Sequence, residues 1–350
     1  MKKIKFFITK LDVGGAERVL IDLANSLKDK YDIEIVVLYG GGNIERDALV
    51  PIRYINEKDI VSPLSKKIYA FTLKFKSNKK KIIDEFFNDQ HLVVAFLEGP
   101  ATEILAEYDG PKIAFVHTNL KKHYNASRYN NLYKIYNKYN ALCAVSKEAL
   151  TSLPDKITVP KRVVTNYISL DRINKNINAY RVKESGYVLL VARLFPEKGV
   201  MRLLEINKKL LASNIHLNFK VVGDGPLKKD MIDYISDHNF TNIDMVGSLS
   251  NPYPYMHNAD LIISTSLYEG FPLLAIEARL LNKKVLATDT GIREALGGYD
   301  KALIVPNNDE ALYEALKKYS AGENIFGSIP GSIDVSLDKY LALFEEFLMI

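Results

Sequence analysis

Short β-branched and apolar runs alternate with stretches of helical periodicity along nearly the whole chain, and this rhythm restricts the fold more than any other feature. In the first half the runs are Ile4 to Thr9, Ile33 to Leu38, Leu92 to Phe96, Lys112 to Val116 and Ala141 to Val145. In the second half they are Tyr187 to Val191, Asn218 to Val222, Ile243 to Val246, Leu261 to Ser264, Lys284 to Ala287 and Ala302 to Val305. Strands separated by helical patterns of roughly 10–15 residues require crossover helices, which produce mostly parallel sheets covered on both faces. A chain of 350 residues exceeds the usual size of one core. The pattern weakens between Asn166 and Ser185, which puts a domain junction there. The sequence therefore predicts two doubly wound, Rossmann-like α/β domains, 1–166 and 167–335. A helix over 336–350, with Leu337, Tyr340, Leu341, Phe344 and Phe347 or Leu348 on its apolar face, would pack back toward the first domain. Ligands of such sheets bind beyond the carboxyl ends of the strands, so two facing sheets would share a central cleft.

Composition narrows the class. No apolar run approaches the ~20 residues that span a bilayer, and the apolar start of the chain turns charged again at Asp12, too soon for a secretory signal. The single cysteine, Cys143, excludes an internal disulfide and any cysteine-based metal cluster, which fits a reducing, cytoplasmic setting. The net charge of +5 is uneven: residues 1–166 carry 27 Lys and Arg against 19 Asp and Glu, and residues 167–350 carry 20 against 23. Two basic-aromatic stretches lie in the basic half. One runs through Lys66, Lys67, Tyr69, Phe71, Lys74, Phe75, Lys76, Lys79, Lys80 and Lys81; the other through Lys121, Lys122, Tyr124, Arg128, Tyr129, Tyr133, Lys134, Tyr136, Lys138 and Tyr139. They fit either an anionic membrane surface or ordinary solvated helix faces, and nucleic acid fits less well than both.

The chemistry concentrates at strand-to-helix junctions. In Tyr268 through Ala278, Glu269 lies in a Gly-containing turn and Glu277 lies eight positions later inside an apolar helical pattern, with Pro272 suited to the first helical turn. Unpaired glutamates seldom enter a core. The amides of Phe271, Leu273 and Leu274 would face a ligand there, and the positive helix end favours an anion. After another strand come Arg193 and Lys198, a planar fork and a mobile point charge suited to a diphosphate without a metal; the competing reading makes them surface cations, one paired with Glu197. Gly223-Asp224-Gly225-Pro226 reads as a turn, and Gly247, Ser248 and Leu249 end a strand where exposed main chain could meet a nucleobase edge. In the first half, Gly14-Gly15 opens a helix and lets main-chain amides approach a phosphate or sugar, although it is no dinucleotide fingerprint. His117 ends a strand, so its ring would emerge at the ligand end of that sheet; a lone histidine is equally a structural hydrogen-bonding group.

Taken in order, Gly14-Gly15, His117, Ser146, Asn166, Arg193 with Lys198-Gly199, Gly223 through Pro226, and Glu269 through Glu277 resemble glycosyltransferase family 4, retaining enzymes of the two-domain GT-B architecture. The likeness runs from about Phe6 to Val305 and is strongest in the second half; Asn251 through Met256 is similar to a form common in bacterial surface-polysaccharide members. The resemblance implies that Arg193 and Lys198 bind the diphosphate, Glu277 the ribose hydroxyls and Glu269 the donor-sugar hydroxyls. It further implies that Gly15 meets the distal phosphate, that Gly223, Gly247, Ser248 and Leu249 line the nucleotide site, with the last three holding the base, and that Leu273 and Leu274 give amides to sugar and phosphate. His117 would lie beside the transferred sugar and the acceptor. The departures fall around Asn166-Tyr167-Ile168 and after Val305 and bear on hinge geometry. The expected activity is transfer of a sugar, with retention, from a nucleoside-diphosphate sugar such as a UDP-sugar to a hydroxyl of a lipid-linked saccharide, at the inner face of the cell membrane and without a metal. The rival readings are a nucleotide-sugar epimerase or hydrolase on the same scaffold and a non-catalytic nucleotide-sugar-binding module.

Overall fold

The computed structural model describes residues 1–12, 14–42, 44–56, 75–88 and 92–348. The chain forms two compact units, Met1–Ser169 with Asp334–Ile350, and Leu170–Ile333. The first holds a seven-stranded sheet built from β1 (Lys3–Ile8), β2 (Asp32–Tyr39), β3 (Ile52–Asn56), β4 (Leu92–Ala95), β5 (Lys112–Val116), β6 (Ala141–Ala144) and β7 (Lys161–Val163). Its order is β3-β2-β1-β4-β5-β6-β7, and neighbouring strands are parallel. Strands β4, β5 and β6 are buried at every position, as strands covered on both faces must be.

The second unit repeats the plan with six parallel strands: β8 (Val188–Val191), β9 (Phe219–Val222), β10 (Ile243–Gly247), β11 (Leu261–Ser264), β12 (Lys284–Thr288) and β13 (Ala302–Val305). Their order is β10-β9-β8-β11-β12-β13. Winding reverses between β1 and β4 in one sheet and between β8 and β11 in the other. At each reversal the loops leaving two neighbouring strands diverge and open a crevice at their carboxyl ends. The loop after β8 carries Arg193 and Lys198, and the loop after β11 carries Glu269.

All eleven strands read from the sequence are present, with ends that match or shift by one residue, and β3 and β7 are additional. Pro272 sits one position earlier than expected: its backbone is extended, and the helix Leu273–Leu280 starts behind it. The closing helix, Asp338–Leu348, belongs to the first unit. Tyr340 stacks on Phe115 and Phe344 meets Phe6 edge-on, each with ring centroids 5.9 Å apart, and the Tyr340 hydroxyl donates to the Thr165 carbonyl at 3.1 Å. Leu343 occupies the core position that the sequence pattern gave to Leu341, which is only part-buried.

Of the first basic-aromatic stretch, Lys66, Lys67, Tyr69, Phe71 and Lys74 lie outside the described residues. The second folds into three one-turn helices whose tyrosines turn inward: Tyr136 and Tyr139 are buried, and Tyr129 donates to the Ser152 carbonyl at 3.0 Å. Its cations face outward, and Lys122, Arg128 and Lys138 pair with Glu148, Glu103 and Glu107.

Candidate active site

At the reversal of the second sheet, Lys198 lies in a single 3-10 turn, Pro196–Lys198, and its Nζ sits 2.7 Å from both carboxylate oxygens of Glu269. Ser266 Oγ donates to Glu269 Oε1 at 2.7 Å. Local backbone chemistry brings these groups together. Gly199 has left-handed dihedrals, φ 60° and ψ 29°, and any Cβ there would collide with the Thr265 carbonyl oxygen, so only glycine permits the two loops to approach so closely. Thr265 Oγ1 donates to the Lys198 carbonyl at 3.0 Å and Leu267 N to the Glu197 carbonyl at 2.8 Å, which laces the loops together. The Lys198 and Glu269 side chains are 19% and 12% exposed, so this ion pair is screened far less than a surface one. Arg193 differs. It is 64% exposed, lies 3.8 Å from Glu197 and stacks its guanidinium over Phe195 at 5.1 Å, so in this structure it matches the surface-cation reading.

Phe271 is buried, and Leu273 and Leu274 open their helix with no side chain capping its first amides, which leaves those donors for a ligand or solvent. One turn further, Glu277 Oε1 accepts the Tyr253 hydroxyl at 2.6 Å. Arg172 NH1 donates to the same hydroxyl at 2.6 Å, and its guanidinium lies 5.3 Å from the Tyr253 ring centroid. Burial, then the neighbouring Glu277 carboxylate, pushes the Tyr253 phenol well above its ordinary range, so it remains a donor. Gly223 has φ 154°, its N–H bonds the Gly247 carbonyl at 2.9 Å, and a Cβ would strike the Ala192 carbonyl. The β8, β9 and β10 ends are thereby held together, with Ser248 exposed and Leu249 part-buried just beyond them.

In the first unit, Gly15 is the first residue of the helix Gly15–Leu27, behind an extended Gly14. His117 follows β5. Its ring lies 4.9 Å from that of Phe96 and 6.1 Å from that of Phe115, and burial pushes the imidazole down to about 3. Its main-chain N–H and that of Thr118 both bond Glu98 Oε1, at 2.5 and 2.9 Å. Glu98 follows β4, and burial, opposed by these amides, pushes its carboxyl up to about 7.

Residues 13–172 match the family described as Glycosyltransferase Family 4, and residues 173–325 match the one described as Glycosyl transferases group 1. The chain belongs to these glycosyltransferase families. Among relatives of this glycosyltransferase is the N-acetylgalactosamine-N,N'-diacetylbacillosaminyl-diphospho-undecaprenol 4-alpha-N-acetylgalactosaminyltransferase of Campylobacter jejuni. It is 25% identical over 337 residues, which is 91% of this chain and 90% of that one. The O-antigen biosynthesis glycosyltransferase WbnH of Escherichia coli is 25% identical over 328 residues, again 91% and 90% of the two chains. Anabaena HepE, crystallised with UDP and glucose, superposes with a TM-score of 0.72 at 17% identity, over 99% of this chain and 100% of that one, which shows a shared fold.

In this glycosyltransferase the second unit brings Lys198 and Glu269 into direct contact and keeps Glu277 apart, on the Tyr253 hydroxyl that Arg172 also bonds. Sequence reasoning passed over Arg172, Tyr253 and Glu98. For Tyr253 a signal existed in Asn251 through Met256; for Arg172 and Glu98 nothing local marks the residue, because each acts on a group distant in sequence.

Proposed function

We propose that this glycosyltransferase moves a sugar, with retention of configuration, from a UDP-sugar to a hydroxyl of a lipid-linked saccharide during cell-surface polysaccharide synthesis. The observation that carries the reading is Lys198, held by Glu269 at the crevice between β8 and β11 and followed by the uncapped helix start at Leu273. A cation and free helix amides at one crevice suit a diphosphate leaving group, whose charge grows as the glycosidic bond breaks. A carboxylate offers about four lone-pair sites, so Glu269 can hold Lys198 and Ser266 and still accept a donor-sugar hydroxyl. Arg193, exposed beside the same strand end, would complete the diphosphate contacts. Gly223, Gly247, Ser248 and Leu249 would hold the nucleoside, with Glu277 on the ribose. The UDP seen with HepE and the undecaprenol acceptor in the Campylobacter enzyme's name supply the substrate classes. In the first unit Gly15 would meet the distal phosphate through its backbone, and His117 would lie beside the transferred sugar and the acceptor.

No described helix is long and apolar enough to cross a membrane. A lipid-linked acceptor would then be met at the surface, with exposed cations such as Lys121 and Lys134 against anionic lipid. The test is turnover of a panel of UDP-sugars with undecaprenyl-diphosphate-linked saccharides in anionic vesicles. Acceptor-dependent release of UDP, with a new α-linkage and salt-sensitive retention on the vesicles, is expected. Equally rapid donor consumption without acceptor would favour a hydrolase or epimerase instead.

The Arg172–Tyr253–Glu277 chain yields a separate expectation for binding. Glu277→Ala should weaken UDP binding by roughly 10- to 100-fold, the worth of a hydrogen bond to a charged group. Tyr253→Phe, which keeps the packing and removes the bond that orients Glu277, should cost less, about threefold to tenfold. Calorimetry with UDP measures both, and unchanged affinity in Glu277→Ala would refute the ribose role.

A further inference from the structure

At the reversal of the first sheet, the loop that leaves β4 carries Glu98 under the loop that leaves β5. A single oxygen, Oε1, accepts two consecutive amides, His117 N–H at 2.5 Å and Thr118 N–H at 2.9 Å. That bifurcated bond fixes the peptide planes on either side of His117 Cα, and with them the direction in which the side chain leaves the backbone. The ring then has little freedom, being packed between Phe96 and Phe115. Burial disfavours protonation of the ring, the Phe96 backbone favours it, and Nε2 is buried and has no partner. In the neutral ring with the proton on Nδ1, Nε2 presents a lone pair. A buried acceptor without a partner is costly. A sugar hydroxyl can donate to that lone pair.

We propose that Glu98 is a positioning residue for the transfer reaction, holding the His117 and Thr118 amides so that His117 Nε2 is aimed at a substrate hydroxyl. This rests on the reading of His117 as a residue that faces the transferred sugar and acceptor. Its chemistry separates it from a clamp that merely stabilises the fold. The raised pKa of Glu98 means that the native state binds its proton more tightly than the unfolded chain does, so its contribution to stability falls as pH rises from about 4.5 to about 7 and stays unfavourable above that. An ionised carboxylate accepts amides more strongly than an acid does, so the grip on His117 tightens over the same interval. Stability and positioning thus run in opposite directions with pH. The groups around Glu98 do not produce this dependence. His117 is neutral above about 3, Tyr124 and Tyr136 are held above the ordinary phenol range by burial, and Arg128 and Glu103 are paired with each other.

The test compares wild type with Glu98→Gln, Glu98→Ala, His117→Ala and the Glu98→Ala/His117→Ala double variant. The readouts are kcat with UDP-N-acetylgalactosamine and an undecaprenyl-diphosphate disaccharide, UDP affinity, thermal stability at pH 6 and 8, and the 15N spectrum of the His117 ring. Glu98→Gln is expected to melt higher than wild type at pH 8, to turn over more slowly, and to lose a rising limb of kcat centred near pH 7. Glu98→Ala should lower kcat about tenfold or more with UDP affinity unchanged, and the double variant should be no slower than His117→Ala, since the two residues act as a unit. The His117 ring should be a single Nδ1–H tautomer in wild type and a mixture in Glu98→Ala. The proposal is overturned by a wild-type tautomer and ring shift in Glu98→Ala, by a wild-type pH profile in Glu98→Gln, or by losses that simply add. A His117→Ala variant with full turnover would instead remove the reading of His117 itself, and the proposal with it.

Discussion

Replacing Lys198 by alanine is expected to lower turnover by about 10²- to 10³-fold, the scale seen when one preorganised donor to a developing charge is removed. The geometry makes this loss larger than deletion of a lone surface cation. Lys198 is mostly shielded and neutralises Glu269 at 2.7 Å. Without it, Glu269 retains only the Ser266 hydroxyl among the bonds seen here and brings an uncompensated negative charge to the site where a diphosphate must sit. Leaving-group stabilisation would fall and repulsion would rise together, so kcat/KM should drop further than kcat. Lys198→Arg should recover part of the rate, because charge is kept while the single-point geometry is lost. Arg193→Ala is expected to cost about 10²-fold in kcat, through the same leaving group. Its ground-state contacts with Glu197 and Phe195 are exposed, so folding should not change. Wild-type rates in both alanine variants, with circular dichroism unchanged, would refute the assignment of the cations to the diphosphate.

The contrast between these cations shows how far the sequence could be read. Both follow one strand in one short motif, and residue type alone does not separate them. The separation comes from Gly199, whose left-handed backbone folds the Lys198 turn onto the Thr265 loop and leaves Arg193 outside. The strands were legible for a simple reason. Nine of the eleven expected runs lie between two neighbouring strands, which favours apolar sequence, and the other two, β10 and β13, are edges of the second sheet that still carry mostly apolar residues. The unanticipated β3 and β7 are the two edges of the first sheet, where one side has no partner. Edge strands are short and carry charge, here Arg53 in one and Lys161 and Arg162 in the other, which erases the apolar signal. Most of the residues proposed to touch ligand sit at strand ends with Gly and Pro nearby and can be located from that punctuation. Those that orient them cannot, because Tyr253 reaches Glu277 and Glu98 reaches His117 only after the sheets have formed.

The second large effect concerns Glu269, and it bears on how the proposed retention of configuration would come about. A double displacement needs a carboxylate that attacks the anomeric carbon and releases the diphosphate; same-face attack needs none, since the departing phosphate can take the acceptor proton. Glu269 is the carboxylate proposed to hold the donor sugar, yet both its oxygens are bonded to Lys198 and one also accepts Ser266 Oγ. Three short bonds, two of them from the Lys198 ammonium, draw electron density from the oxygens and hold them in a fixed plane. Such a group suits the clamping of hydroxyls and the aiming of a lysine better than nucleophilic attack. Glu269→Ala should therefore lower kcat by about 10²- to 10³-fold by releasing Lys198 and the sugar together. The loss should overlap with that of Lys198→Ala, and the double variant should lie close to the worse single one. Added azide discriminates the mechanisms. If Glu269 were the nucleophile, azide would occupy the space it vacates, restore donor cleavage and yield a glycosyl azide of inverted configuration. The same-face route predicts no such restoration, because a small anion cannot replace a residue whose work is to hold Lys198 2.7 Å away on the leaving-group side.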